Sequence, residues 1–227
     1  MSHRENIVRI KAVYNALGHL QNDVVFVGGA TVSLYADRAG PDFRPTEDVD
    51  VVIELWNYTN YAALEEQLRS IGFTNDKESG IICRYKIGGV IVDVMPTEGN
   101  VLGFNNQWYP EGFKEAINFR IDENHTVKIF SAPYFIATKL DAFNDRGNND
   151  GRTSTDFEDI VSILENRSSV WKEMSDAPLE VKNYLENEFK KLSENIFLEE
   201  WIDAHIDFRS PPSTYRIIER MKEFVLT

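Results

Sequence analysis

Between Glu47 and Leu55 the chain reads EDVDVVIEL, and few segments leave a polypeptide less freedom. A run of Val and Ile with acids at alternate positions is a strand pattern. Side chains alternate across a strand, so Asp48 and Asp50 share one face while Val49, Val51 and Ile53 share the other. Same-face neighbours stand about 6.6 Å apart. Two carboxylates that close repel each other and resist burial, and a cation is the usual offset. The strand must therefore lay its apolar face on a core and turn its acidic face into a cleft. Mg²⁺ suits such a cleft, because it takes a few carboxylates and completes its octahedron with water and substrate phosphates.

A third carboxylate has the same setting. The segment VIVDVMP, residues 90–96, places Asp93 inside an otherwise apolar strand. If the two strands are neighbours, Asp48, Asp50 and Asp93 form a triad able to hold one Mg²⁺ or a closely spaced pair. Such a centre activates an attacking hydroxyl and holds a triphosphate in line, with Asp93 as base or as the group that positions the nucleophile. The competing reading is plainer: Asp48 and Asp50 as a charged strand end, and Asp93 on an edge facing solvent.

Upstream, DVVFVGG reads as a short buried strand ending in Gly28-Gly29, and ATVSLYA resumes as a helix. Backbone N–H groups at such a turn cradle phosphate, and Thr31 adds a hydroxyl. A tight strand-to-helix turn with no ligand is the alternative. Arg44, just before the acidic strand, either neutralises phosphate charge or pairs with a nearby acid.

Elsewhere, residues 5–20 and 57–71 show helical spacing, with Gly72 as a stop for the second. GIICRYKI and VIVDVMP flank Gly88-Gly89, a hairpin signal. TVKIF is one more strand. From Ser131 onward the pattern is helical, broken at DRGNNDGRTST and at RSPPST. Thr155 and Glu158 have capping-box spacing, which puts Asp156 in a first helical turn. The order predicts an α/β (α+β) chain: a small mixed sheet with helices packed on it over residues 1–130, then a helical region over 131–227.

With 227 residues and a net charge of -13, the chain is acidic throughout. Residues 1–130 hold 18 acids against 12 Lys and Arg, and residues 131–227 hold 19 against 12, so neither part is a basic nucleic-acid module. Arg209, Arg216 and Arg220 make a small local patch near the C-terminus. The single cysteine, Cys83, excludes an intramolecular disulfide. The start, MSHRENIVRIK, lacks a signal-peptide core, and no apolar run is long enough to span a bilayer, which predicts a cytoplasmic protein without a membrane partner. The four histidines lack metal-ligand spacing, and Walker A, Gly-x-Ser-x-Gly and Gly-x-Gly-x-x-Gly patterns are absent.

The stretch GGATVSLYADRAGPDFRPTEDVDVVI followed by VIVDV resembles the nucleotidyltransferase (polymerase β-like) superfamily. RPTEDVD resembles one branch more closely, the AbiEii-type abortive-infection nucleotidyltransferases, many of them toxins of toxin–antitoxin pairs. TKLDAFNDR and STDFEDI match that branch's Lys-Leu-x-Ala and Asp-x-x-Asp helices. The resemblance covers residues 24–165 and leaves the role of 166–227 open.

It implies phosphate contacts at Gly28 and Gly29, metal ligation by Asp48, Asp50 and Asp93, and a triphosphate contact at Lys139. Asp159, with Asp156, would orient that lysine or touch the nucleotide. Thr155 departs from the basic residue often found before the first Asp of that pair. The expected reaction moves a nucleoside monophosphate from an NTP such as ATP, with Mg²⁺, onto tRNA or protein, with an antitoxin protein as a further partner. A small-molecule acceptor of the aminoglycoside type, and a nucleotide- or partner-binding module without turnover, are the alternatives.

Overall fold

The computed structural model describes residues 2–38, 43–55, 58–99, 101–102, 106–206 and 214–226. The chain divides into two compact units, Met1–Leu34 with Asp42–Ser131, and Tyr35–Pro41 with Ala132–Thr227.

The first unit is a mixed α/β layer. Helix α1 (Ser2–Leu17) precedes strand β1 (Val24–Val27), whose four residues are all buried. A short 3-10 helix, Gly29–Leu34, follows. Then come β2 (Asp48–Ile53), α2 (Tyr58–Ser70), β3 (Thr74–Asn75), β4 (Arg84–Ile87) and β5 (Val90–Pro96). Helix α3 (Tyr109–Lys114), β6 (Ile117–Arg120) and β7 (Thr126–Ile129) complete it. The seven strands lie in the order β3-β4-β5-β2-β1-β7-β6. The pairs β2–β5 and β1–β7 are parallel and the rest antiparallel, which makes the sheet mixed as predicted.

Local chemistry explains the turns. Helix α2 ends where Gly72 takes φ +98, with Phe73 N–H on the Leu68 carbonyl and Gly72 N–H on that of Arg69, a Schellman closure. Gly88 and Gly89 both have positive φ and form the two-residue link between β4 and β5. The segment ATVSLYA is a correction: it is not an α-helix but a six-residue 3-10 helix, closed by an i→i+3 bond from Thr31 N–H to the Gly28 carbonyl. Its residues from Ala30 to Leu34 are all buried, so it lacks the polar face that an amphipathic α-helix shows. Strands β3 and β6 and helix α3 carry too few residues to show a period, and the sequence pattern did not predict them.

The second unit is helical: α4 (Ala132–Arg146), α5 (Thr155–Asn166), α6 (Val170–Ser175), α7 (Leu179–Ser193), α8 (Leu198–Asp203) and α9 (Thr214–Val225). Phe143, Phe157 and Trp201 pack with ring centroids 5.3–5.9 Å apart. Gly151 is required there, since a Cβ would stand 2.7 Å from the Trp201 ring. Residues 35–38 belong to this unit: the Tyr35 ring lies 4.9 Å from that of Phe135, and Asp37 N–H donates to the Asn166 carbonyl at 3.0 Å. The cap of α5 is Ser154, whose hydroxyl accepts from Phe157 N–H, rather than Thr155 with Glu158. The RSPPST break and Arg209 fall largely or wholly outside the described residues.

Candidate active site

The acidic face of β2 follows from its pattern. Val49 and Val51 are fully buried on the opposite face, while Asp48 and Asp50 are half-buried at the strand's start. Parallel pairing puts Asp50 directly beside Asp93 of β5. On the other side of β5, antiparallel pairing puts Arg84 of β4 directly beside Asp93. Residues in register across a sheet share a face, so Asp50, Asp93 and Arg84 form one row across three strands, with Asp48 one step away along β2.

Arg84 ties this row together. Its Nε donates to Asp93 Oδ1 at 2.8 Å, and its Nη2 donates to Asp93 Oδ2 at 2.7 Å and to Asp48 Oδ2 at 3.0 Å. The bonds to Asp93 hold the guanidinium protonated well above the ordinary arginine range, against the cost of burial. Bidentate Arg–carboxylate pairing of this kind is short and directional. The neighbouring Cys83 thiol is pushed up to about 12 by burial and by Asp93, which removes it as a nucleophile near neutral pH.

Sequence reasoning singled out the three acids but missed Arg84. The signal was present: a two-residue turn at 88–89 pairs 87 with 90 and, counting back, 84 with 93.

The glycine turn touches this row. Gly28 has φ +71, and a Cβ there would lie 1.9 Å from Asp50 Oδ2. Only glycine leaves that carboxylate its place. The Thr31 hydroxyl is buried and donates to the Gly28 carbonyl at 2.9 Å, so it braces the turn. Gly29 begins the 3-10 helix.

The approach to β2 is pinned by α1. The side chain of the fully buried Asn6 donates to the Arg44 carbonyl at 3.2 Å and accepts from Thr46 N–H at 3.2 Å. Arg9 donates to the Thr46 carbonyl. Arg44 is thereby held by its main chain and is itself half-buried. Asn6 is a positioning residue that no motif announced.

A second acidic cluster lies wholly within the helical unit. Lys139 of α4 forms ion pairs with Asp156 Oδ1 at 3.0 Å and Asp159 Oδ2 at 2.6 Å, both on α5. Arg146, at the end of α4, adds bonds to Asp156 at 2.7 and 3.0 Å. Lys139 is 8% exposed and the two acids 3% each. Burial works against the ammonium, but Asp159 and Asp156 overcome it and hold Lys139 above the ordinary lysine range. Burial likewise opposes the Asp156 carboxylate, and Arg146 with Lys139 outweighs it, keeping the group below its usual value. The ammonium also stands 5.7 Å from the centre of the Phe135 ring.

The donor set suits a hard divalent cation. Among the described residues no three His, Cys, Asp or Glu are placed so as to hold a metal ion. The three strand aspartates nonetheless offer oxygen only, and Arg84 shows that positive charge is accepted among them. Asp48, Asp50 and Asp93 thus have the oxygen chemistry a hard cation takes, with the Arg84 guanidinium lying between Asp48 and Asp93.

The chain belongs to the family described as nucleotidyl transferase AbiEii toxin, type IV toxin–antitoxin system, whose model matches residues 12–213. It is a nucleotidyltransferase. Among solved structures, the CdnE cyclic dinucleotide synthase of Elizabethkingia meningoseptica, determined with GTP and Apcpp, is similar at 14% identity and a TM-score of 0.30, covering 96% of this chain and 88% of that one. No curated protein matches the chain. Among the described residues no helix is long and apolar enough to cross a membrane.

Proposed function

We propose that the protein transfers a nucleoside monophosphate from an NTP to a hydroxyl of tRNA or of a protein, releasing pyrophosphate, and that it does so as a toxin paired with an antitoxin protein. The observation that carries this reading is the register that sets Asp50 beside Asp93 with Asp48 next along, in a chain of the AbiEii family. Asp48, Asp50 and Asp93 would hold Mg²⁺, which when bound supplies charge neutralisation at the phosphates and lowers the pKa of the attacking hydroxyl.

The chain's own residues do the rest. Gly28 and Gly29 leave the backbone open to a phosphate, and Gly28 fixes where Asp50 can point. Asp93, freed from Arg84, takes the acceptor hydroxyl's proton. The acceptor oxygen bonds to the α-phosphorus as the bond from that phosphorus to the pyrophosphate oxygen breaks. In the helical unit, Asp156 and Asp159 fix the direction of the Lys139 ammonium, and we assign it a nucleotide phosphate. Arg44 adds positive charge beside the acidic strand. Positioning and electrostatics supply most of the rate.

The test is transfer of label from each α-labelled NTP, with Mg²⁺, to tRNA, to protein extract and to aminoglycosides. Asp50→Ala should abolish transfer while the thermal melt stays cooperative. Undiminished labelling by that variant would overturn the assignment. Label on aminoglycosides alone would replace the acceptor.

A further inference from the structure

The helical unit contains a basic pocket that the transfer reading does not use. It encloses about 310 Å³, and its walls carry Arg38, Arg167, Lys172, Arg216 and Arg220 around Trp171. Among the described residues that line it there is no carboxylate. In a chain with 37 acids and 24 Lys and Arg, five cations around one hollow are a local concentration of positive charge, only partly offset by acids outside its walls.

The walls are built rather than incidental. Arg216 and Arg220 are one turn apart on α9, so they project from the same side of it as the buried Ile217. Arg167 is oriented by Glu173 at 2.9 Å and by the Tyr35 carbonyl at 3.1 Å. Arg38 follows Asp37, whose Oδ2 accepts from Ser168 N–H at 2.9 Å and from its hydroxyl at 2.6 Å. Arg220 reaches Glu223 at 3.1 Å, and Lys172 pairs with Asp176, both exposed contacts of small strength. Arg216 has no acidic partner among the described residues. Trp171 is backed by Phe189 and Phe224, with ring centroids at 5.9 and 6.2 Å, which fixes its plane.

We infer that this pocket binds a nucleotide phosphate, the arginines taking the phosphate oxygens and the base lying against Trp171. Guanidinium forks match phosphate geometry, an aromatic face accepts any base, and the volume is at the small end of ligand pockets, which suits one nucleotide unit. That unit is either a free nucleotide or one residue of a nucleic-acid strand. The inference concerns binding and stands whether or not the strand aspartates catalyse transfer.

The test uses the full chain in EDTA, with a short fluorescein-labelled single-stranded RNA as probe and AMP as competitor. Calorimetry with AMP alone covers the free-nucleotide source. Arg216→Ala with Arg220→Ala should weaken binding about tenfold or more and make the log–log salt dependence shallower by about 1.4, two phosphate contacts' worth. Both side chains are exposed, so an unchanged melt is expected. Should the melt fall, Arg38→Ala serves as the second variant. Binding of RNA identifies a strand, and binding of AMP alone identifies a free nucleotide. Neither ligand binding, or binding unmoved by these variants, overturns the inference. Label transfer from α-labelled NTP, read on the same preparations, separates failure here from failure of the transfer reading.

Discussion

Two clusters of aspartates, each tied by a basic side chain, sit in different physical settings. On the sheet, Arg84 spans Asp48 and Asp93, and these side chains are 19%, 35% and 12% exposed. Between α4 and α5, Lys139 spans Asp156 and Asp159, with side-chain exposures of 11%, 4% and 4%. Water reaches the first cluster and screens it. The second is nearly dry, so its attractions are stronger and a missing partner costs more. The same ingredients thus give an exchangeable arrangement on the strands and a fixed one between the helices.

The largest expected effect comes from removing the fixed cation. Lys139→Met keeps the length and apolar bulk of the stem but leaves Asp156 and Asp159 buried without their shared partner. The loss should be about 3–5 kcal/mol, read from urea melts. A loss below about 1 kcal/mol would show that the helical cluster is as well solvated as the sheet cluster, and the contrast would disappear.

How far the sequence already showed these two settings depends on the kind of information each needs. Asp48 and Asp50 were legible because a period of two is written into DVDVVI, and Asp93 because an acid inside VIVDVMP demands a reason. Their convergence was not legible in the local pattern and was expected only from the resemblance to the nucleotidyltransferase signature. It rests on the parallel pairing of β2 with β5, a choice of neighbours that no local pattern encodes. Arg84 was within reach through the Gly88-Gly89 turn, but only once the hairpin register was counted back. Asn6 acts across 38 and 40 residues on Arg44 and Thr46, and nothing in α1's periodicity separates it from a surface asparagine. The 3-10 form of Gly29–Leu34 escaped because a buried segment of six residues shows no period. In the basic pocket, Arg216 and Arg220 were visible as a patch, whereas Arg38 and Arg167 are far away in sequence and only the fold brings them to the same wall.

A smaller effect should follow on the sheet. Arg84→Met removes three charge-assisted bonds from a half-open site, costing about 1–3 kcal/mol. Here the comparison sharpens, because Mg²⁺ should restore the loss by mass action. Thermal melts with and without MgCl₂ should show a larger magnesium-induced rise for Arg84→Met than for the wild type, since the ion no longer displaces a guanidinium. An equal or smaller rise would mean that Arg84 does not compete for the cation's place. No such rescue is expected for Lys139→Met, whose acids are closed to solvent.

The smallest effect is a change in pH dependence, and its sign separates the two residues of the helical pair. Burial opposes the Asp156 carboxylate in the folded state, but Arg146 and Lys139 outweigh it and hold the group below the ordinary aspartate range. A depressed carboxylate stabilises the fold above the unfolded-state pKa, and that contribution is lost as pH falls through the lowered folded value. Lys139 is held above the ordinary lysine range, so its contribution is intact below the unfolded-state pKa and is lost only as pH rises through the raised folded value. Between about pH 5 and 9 neither group titrates, and stability from this pair should be flat. Asp156→Asn should therefore remove part of the acid limb of the stability profile, by less than one proton's slope, because other depressed carboxylates such as Asp37 titrate there too. Urea melts from pH 2 to 5 read the difference. An acid limb of unchanged slope in the variant would mean that Asp156 carries an ordinary carboxylate pKa, and that the helical cluster is solvated much as the strand cluster is.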